Sequence, residues 1–247
     1  MRTAIACNRI ISRKLQRHAA WIPTVSPFAL GDYGVFERGV FSRLGNIKDL
    51  GVDFDTLPGG TASLKFDTSS GVEVTLSVDG QGNVPQLPGT DVQAKAEFKY
   101  KRARSFLVRA PKLTSNAIQD IPAATSRLAR HPRWRLRYKL ITELLTTDAA
   151  TIIATASRNS TVVVEGKANV LQQFIDGKVG AGVTVKSSSE LGLEIEGEAG
   201  AIAFKLVRAR RNGRVGLESA GEAPDAPFDD DFDDEPNDED HEVDDDL

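Results

Sequence analysis

Val72-Glu73-Val74-Thr75-Leu76-Ser77-Val78 alternates without a break, apolar at every even position and polar at every odd one. Successive side chains of a strand point to opposite faces, so a period of two describes a strand with one dry face and one wet face. Residues 92–100 repeat the pattern, with Val92, Ala94, Ala96, Phe98 and Tyr100 set against Gln93, Lys95, Glu97 and Lys99. A Gly/Pro-containing loop, residues 79–89, separates the two. Both are half-buried antiparallel strands.

Upstream, residues 31–44 read as a hairpin: Tyr33, Val35 and Phe36, a turn at 37–39, then Val40, Phe41 and Leu44. Residues 57–60, with a Pro and two Gly, read as a breaker. Residues 8–20 read as a helix, N-capped by Asn8, with Ile10, Ile11 and Leu15 as its apolar stripe beside Arg13, Lys14 and Arg17. Pro23 and Pro27 lie beyond its end.

Downstream, residues 105–110 form a strand, and residues 114–120 and 123–129 read as two short helices broken at Pro122. Residues 133–140 alternate completely, which in strand geometry lines up Arg133, Arg135, Arg137 and Lys139 opposite Trp134, Leu136, Tyr138 and Leu140. The last third is nearly all β: residues 140–145, 151–156 and 161–164, a helical turn at 170–175, then a meander of 178–186, Leu191–Gly197 and 201–207. These last segments have the dyad period of strands that tilt across a bilayer in a β-barrel, a period shared with any soluble sheet that has one wet face. The expected fold class is α+β: a twisted, mostly antiparallel sheet with short helices packed on it.

Charge divides the chain in two. Residues 218–247 hold 16 Asp or Glu and no Lys or Arg, leaving 19 acids against all 31 bases before them. A net charge of −4 therefore conceals a body of +12 and a tail of −16. A block with so few apolar side chains is expected to be disordered. At the junction Arg208, Arg210, Arg211 and Arg214 offer a trypsin-like protease a target, and cutting there separates the two charges.

Other classes are poorly served. No run of 18 apolar residues exists, and Met1–Cys7 lacks the apolar core of a signal peptide. Cys7 is the single cysteine, which fits a reducing cytoplasm and leaves no disulfide framework. Arg9, Arg13, Lys14 and Arg17 follow it and are expected to lower its pKa. His18, His131 and His241 stand in unlike contexts, and no zinc, nucleophile-elbow or phosphate-loop motif occurs, so an enzyme is not expected. A basic body carrying an acidic tail also suits a nucleic-acid-binding protein autoregulated by that tail, though no motif for RNA or DNA is present.

The order of segments along the chain resembles the bacterial gasdermins over nearly all of residues 1–211. An early Cys is followed by the basic amphipathic helix at 8–20 and a Pro-bounded segment at 21–27. Then come Phe41-Ser42-Arg43-Leu44-Gly45-Asn46-Ile47-Lys48-Asp49-Leu50 and Tyr100-Lys101-Arg102-Ala103-Arg104-Ser105-Phe106 leading to Leu113-Thr114-Ser115. Leu140-Ile141-Thr142-Glu143-Leu144-Leu145 and the segments at 178–186 and 201–206 complete it.

The resemblance implies a pore-forming domain at residues 1–211 and a removable inhibitory segment and tail at 212–247. It implies a protein held inactive in the cytoplasm until a companion protease removes the C-terminal segment. The freed domains then oligomerise as a large β-barrel in the inner membrane and kill the infected cell. No cofactor is implied beyond a covalent palmitoyl group, for which Cys7 is the matching position. Anionic-lipid contact would fall to Arg102, Arg104, Arg133, Arg135, Arg137 and Lys139, and the membrane strands to Val183, Val185, Leu191, Leu193, Ile195, Ile202 and Phe204. Family caps are short and partly apolar, whereas this segment, after Val215 and Leu217, continues into a polyacid.

Overall fold

In a computed structural model of the protein the described residues are 2–217, less 21–25, 68–71, 80, 90, 102–104, 156–158, 180–181, 188–190, 198 and 211–214. The chain opens with α1 (Arg2–Leu15) and a short strand β1 (His18–Ala19). A hairpin of β2 (Asp32–Glu37) and β3 (Val40–Asn46) runs into a 3-10 turn at Ile47–Leu50. Next come β4 (Thr56–Asp67), β5 (Val72–Val78), β6 (Gly82–Val84), β7 (Gln93–Tyr100) and β8 (Phe106–Ile118). Helix α2 (Ile121–Arg130) leads to β9 (Lys139–Thr147), β10 (Ala150–Thr155) and β11 (Ser160–Lys167). Helix α3 (Ala168–Ile175) precedes β12 (Thr184–Ser187), β13 (Leu191–Gly197), β14 (Gly200–Ala209) and β15 (Val215–Leu217).

The strands form two antiparallel sheets. The larger has ten strands with the path β1-β14-β9-β8-β10-β13, carrying β15 on β14, β2 on β9, β3 on β2 and β4 on β8. The smaller runs β12-β11-β7-β5-β6. Mostly antiparallel sheet with three short helices is the α+β class that the alternating sequence implies. In the β2–β3 hairpin a bulge at Gly34 brings the backbone so close to β3 that a Cβ there would lie 2.0 Å from the Ser42 carbonyl oxygen.

Each helix closes one apolar cluster. Cys7 and Ile11 of α1 pack on Phe106, Val108, Ile152 and Ile202. Ala124 and Leu128 of α2 pack with Trp134, Leu140 and Val207. Ala168, Leu171 and Phe174 of α3 pack with Phe98, Tyr100, Val162 and Val164 of the smaller sheet, and also with Leu107 and Ile153 of the larger. The third helix therefore fills the corner where the two sheets meet.

Several local readings are corrected. The first helix begins at Arg2 and ends at Leu15, where Gln16 takes φ 53. Asn8 is not its cap: the side chain, within the helix, accepts from the Ala19 amide at 2.9 Å and ties the following chain back. Residues 57–60 are not a breaker but part of β4, because Leu57 and Pro58 pair with Ala117 and Asn116 of β8. Residues 114–118 are the end of β8, not a helix. Residues 133–138 are turns, and the strand begins only at Lys139. The late meander does not form: β12 pairs β11, β13 pairs β10, and β14 pairs β1, β9 and β15.

Candidate membrane interface

Four stretches of chain pass from one sheet into the other: β4 to β5, β7 to β8, β10 to β11 and β12 to β13. In the larger sheet their order is β4-β8-β10-β13, and in the smaller it is β5-β7-β11-β12. Each stretch thus keeps the same neighbours in both sheets. The register follows suit. Ala154 faces Phe106 in the larger sheet, and six residues on in one strand and six back in the other, Ser160 faces Tyr100 in the smaller. Between those pairs the Thr155 amide donates to the Ser105 carbonyl at 2.9 Å, and the Ser105 amide donates to Thr155 Oγ1 at 3.0 Å. One flanking pair slips by two, since Asp67 faces Leu107 and Val72 faces Tyr100; the other is broken by a register shift at Ala154–Thr155, after which Thr155 faces Leu191 and Val162 faces Ser187. The even slip of the first flank leaves every side chain on its own face.

The smaller sheet has one dry and one charged face. Val78, Ala94, Ala96, Phe98, Tyr100, Val162 and Val164 are buried on the side that α3 covers. The other side carries ion pairs, Lys95 with Glu97 at 2.9 Å and Lys186 with Glu165 at 2.6 Å. Partly exposed pairs of this kind add little stability. Their weight is in the contrast: apolar on one face and polar on the other is also the pattern of a lipid-facing barrel wall.

One end of α3 is held by a buried cation. Arg109 of β8 is 1% exposed, and its Nε donates to the Phe174 carbonyl oxygen at 3.1 Å. An arginine inside the apolar run 106–110 is the sequence signal of this contact, and a period of two does not disclose its partner.

The first helix is held by charge as well as by packing. Arg17, just beyond α1, bonds Glu143 of β9 through Nε at 3.0 Å and also through a terminal guanidinium nitrogen. Lys205 of β14 reaches the same carboxylate at 3.1 Å, and the Ser115 hydroxyl donates to it at 3.1 Å. Burial pushes the Glu143 carboxyl up, but hydrogen bonds from Arg17 and Lys205 outweigh it and leave the pKa below the ordinary value. Cys7 is 4% exposed, and burial pushes its thiol up to about 12, against the lowering expected from its basic neighbours. Desolvation of the thiolate dominates because the sulfur faces the cluster under α1.

The row of cations at residues 133–139 is a turn surface instead of a strand face. Arg133, Arg135 and Arg137 are exposed, and Trp134 is buried against Tyr33 and Tyr138, with ring centroids 5.6 and 5.7 Å away. Leu136 is 47% exposed, so the apolar side of the supposed strand does not exist. Arg133 donates to the Asp49 carbonyl at 3.1 Å and Arg135 to that of Pro132 at 3.0 Å. The last turn of α2 adds Arg127 and Arg130 to the same surface. The helix dipole favours both charges at that end.

Of the remaining expected residues, Arg102, Arg104, Arg211 and Arg214 lie outside the described ones. Arg208 is exposed on β14, paired with Gly216 of β15, and Arg210 is exposed just beyond. Val183 is buried beside the α3 cluster, Val185 sits on β12, and Leu191, Leu193 and Ile195 sit on β13. Ile202 and Phe204 lie elsewhere, on β14 in the larger sheet, at 1% and 0% exposure. Among the described residues no helix is long and apolar enough to cross a membrane, and no three His, Cys, Asp or Glu side chains come together to hold a metal.

No protein-family model and no curated protein matches the chain. The solved structure of a bacterial gasdermin from Bradyrhizobium tropiciagri is similar to the chain at 10% sequence identity, covering 85% of this chain and 89% of that one, with a TM-score of 0.38.

Proposed function

We propose that the chain is an autoinhibited pore-forming protein of the bacterial gasdermin kind. A protease cuts within residues 208–214, the freed bodies gather as a large homo-oligomer on anionic inner-membrane lipid, and the four sheet-crossing stretches straighten into the wall of a β-barrel. The cell that contains it dies. The observation that carries this reading is the shared strand order of the two sheets with the matching register of their central pair. Straightening needs no new strand partners, and it turns the face now under α3 towards lipid and the charged face towards the lumen. Cys7 is the proposed site of acylation. It must first leave the cluster under α1, and a single acyl chain needs the nearby bases as a second membrane signal.

The test replaces residues 211–214 with the recognition sequence of a site-specific protease and measures dye release from phosphatidylglycerol vesicles before and after cutting. Release only after cutting is expected. The exposed arginines of the α2 region also suit a nucleic acid. A cut body that stays folded, leaves vesicles intact and binds RNA would establish that reading instead.

A further inference from the structure

The five arginines of α2's last turn and the turn after it are exposed: Arg127, Arg130, Arg133, Arg135 and Arg137. Where they bond within the described residues they bond carbonyl oxygens, as Arg127 does with Asp53 at 3.3 Å and Arg133 with Asp49. None of the five pairs with a carboxylate among those residues. The indole N–H of Trp134, in the same turn, has no acceptor there either. Arg127 and Arg130 are explained by the α2 dipole. Arg133, Arg135 and Arg137 lie beyond its reach.

The acidic segment starts beside this surface. Leu217 ends β15 opposite Val207 of β14, and Val207 is opposite Leu140 of β9, one residue after Lys139. Two strand spacings separate Leu217 from Leu140, about 10 Å. From there, residues 218–247 carry 16 acids and no base. The run Asp229–Glu235 begins 12 residues on, a reach of up to about 40 Å when extended. Tethering places its carboxylates near the arginines at an effective concentration on the order of millimolar.

We infer that in the intact chain the acidic segment 218–247 docks on the arginine surface of α2 and residues 131–139, occupying the face that anionic lipid would take. The inference rests on the proposed function for the consequence of release, but the docking itself does not depend on pore formation. A tethered polyanion outcompetes a dilute one.

The experiment is zero-length carbodiimide coupling on the full chain, mapped by mass spectrometry. It reads where the tail lies whether or not the protein makes pores. Tail carboxylates are expected to couple to Lys139 and to Lys48, which sits on the 3-10 turn that Arg133 contacts. Coupling should fall at least about fivefold in 0.5 M NaCl, since exposed charges are then screened within a few ångströms. It should fall as far in Arg133→Ser/Arg135→Ser/Arg137→Ser, with an unchanged melting temperature. Coupling spread evenly over Lys95, Lys99 and Lys178, or undiminished in the triple variant, overturns the inference. Failure of the pore reading shows up separately, as absence of dye release after cutting.

Discussion

Arg109 on β8 donates from Nε to the carbonyl oxygen of Phe174 on α3, 65 residues away, and its guanidinium carbon lies 5.9 Å from the centre of the Phe174 ring. A second guanidinium nitrogen bonds the Val108 carbonyl at 3.0 Å. One buried cation thus holds the end of the helix that covers the dry face of the smaller sheet.

Arg109→Leu removes these charge-assisted bonds and leaves the Phe174 carbonyl only its backbone donor, the Gly177 amide at 3.0 Å, at a cost of about 1–3 kcal/mol. Urea denaturation should show that loss. Uncut Arg109→Leu protein should also leak dye at a low rate, because α3 is less firmly seated. A folded variant with unchanged stability and no leakage would assign the contact a passive role.

Val74 separates folding from insertion. It faces Phe98 on the dry side of the smaller sheet, yet it is 45% exposed. Val74→Arg should therefore change stability by no more than about 0.5 kcal/mol. In a barrel wall the same charge faces lipid, at about 2–4 kcal/mol near the midplane, and leakage by the cut protein should be abolished. Thr75→Arg, one residue on and on the opposite face, should leak normally. Equal effects at the two positions would remove this strand from the wall.

The Glu143 clamp carries a pH signature. Its folded pKa is lowered, so the stability it contributes is present above the unfolded value near 4.5 and is lost as pH falls through the folded pKa. Glu143→Gln should lower stability by about 1–2 kcal/mol at pH 7, and the gap between variant and parent should close below pH 4. Thermal melts at both pH values check this. A gap independent of pH would mean that the charge of Glu143 is irrelevant.

Cys7 should be silent until α1 moves. With its pKa at about 12, the native thiol should react with a disulfide reagent at pH 8 about a hundredfold or more slowly than in the unfolded chain. Intact-mass spectra of the processed, toxic protein should then show an acyl group at Cys7. Cys7→Ala should reduce toxicity without unfolding the protein, and spectra of toxic protein with an unmodified thiol would refute acylation.

Two truncations divide the inhibitory segment. Removing 218–247 leaves β15 on β14, whereas removing 212–247 also uncovers the β14 edge at Val207–Ala209. The longer deletion should make the protein toxic to its host. The shorter should raise affinity for phosphatidylglycerol vesicles in a salt-sensitive way with less toxicity, since surface ion pairs are individually weak. Equal toxicity of both would place the whole lock in the acidic residues.

Periodicity revealed the strands whose two faces differ. Val72–Val78, Gln93–Tyr100 and Leu191–Gly197 are legible because each alternates without a break, and in Gln93–Tyr100 the buried Ala94, Ala96, Phe98 and Tyr100 share one face. It misled at residues 133–138, where Arg alternates with Trp, Leu and Tyr by accident of a turn: Trp134 is buried and Leu136 is not. Residues 114–118 carry Thr, Ser and Asn, which suit helix caps, yet they extend β8 because Ser115 and Asn116 pair with Leu145 and Leu144 of β9. Pairing across dozens of residues overrides local preference. For the same reason the shared strand order, Arg109 against Phe174, and Arg17 against Glu143 were hidden: each joins parts of the chain that no window of sequence contains together.

The matching registers of residues 93–100 with 160–167 and of 106–109 with 151–154 also bear on amide exchange with solvent. Amides in this central ribbon have the same cross-strand acceptors whether the ribbon is bent or straight. Their protection should therefore survive activation, while amides of α3 and of β1 lose theirs. The free energy of the change then lies in wetting and re-covering side chains, with little in the peptide ladder, so its rate should respond steeply to lipid composition and weakly to backbone substitutions along the ribbon.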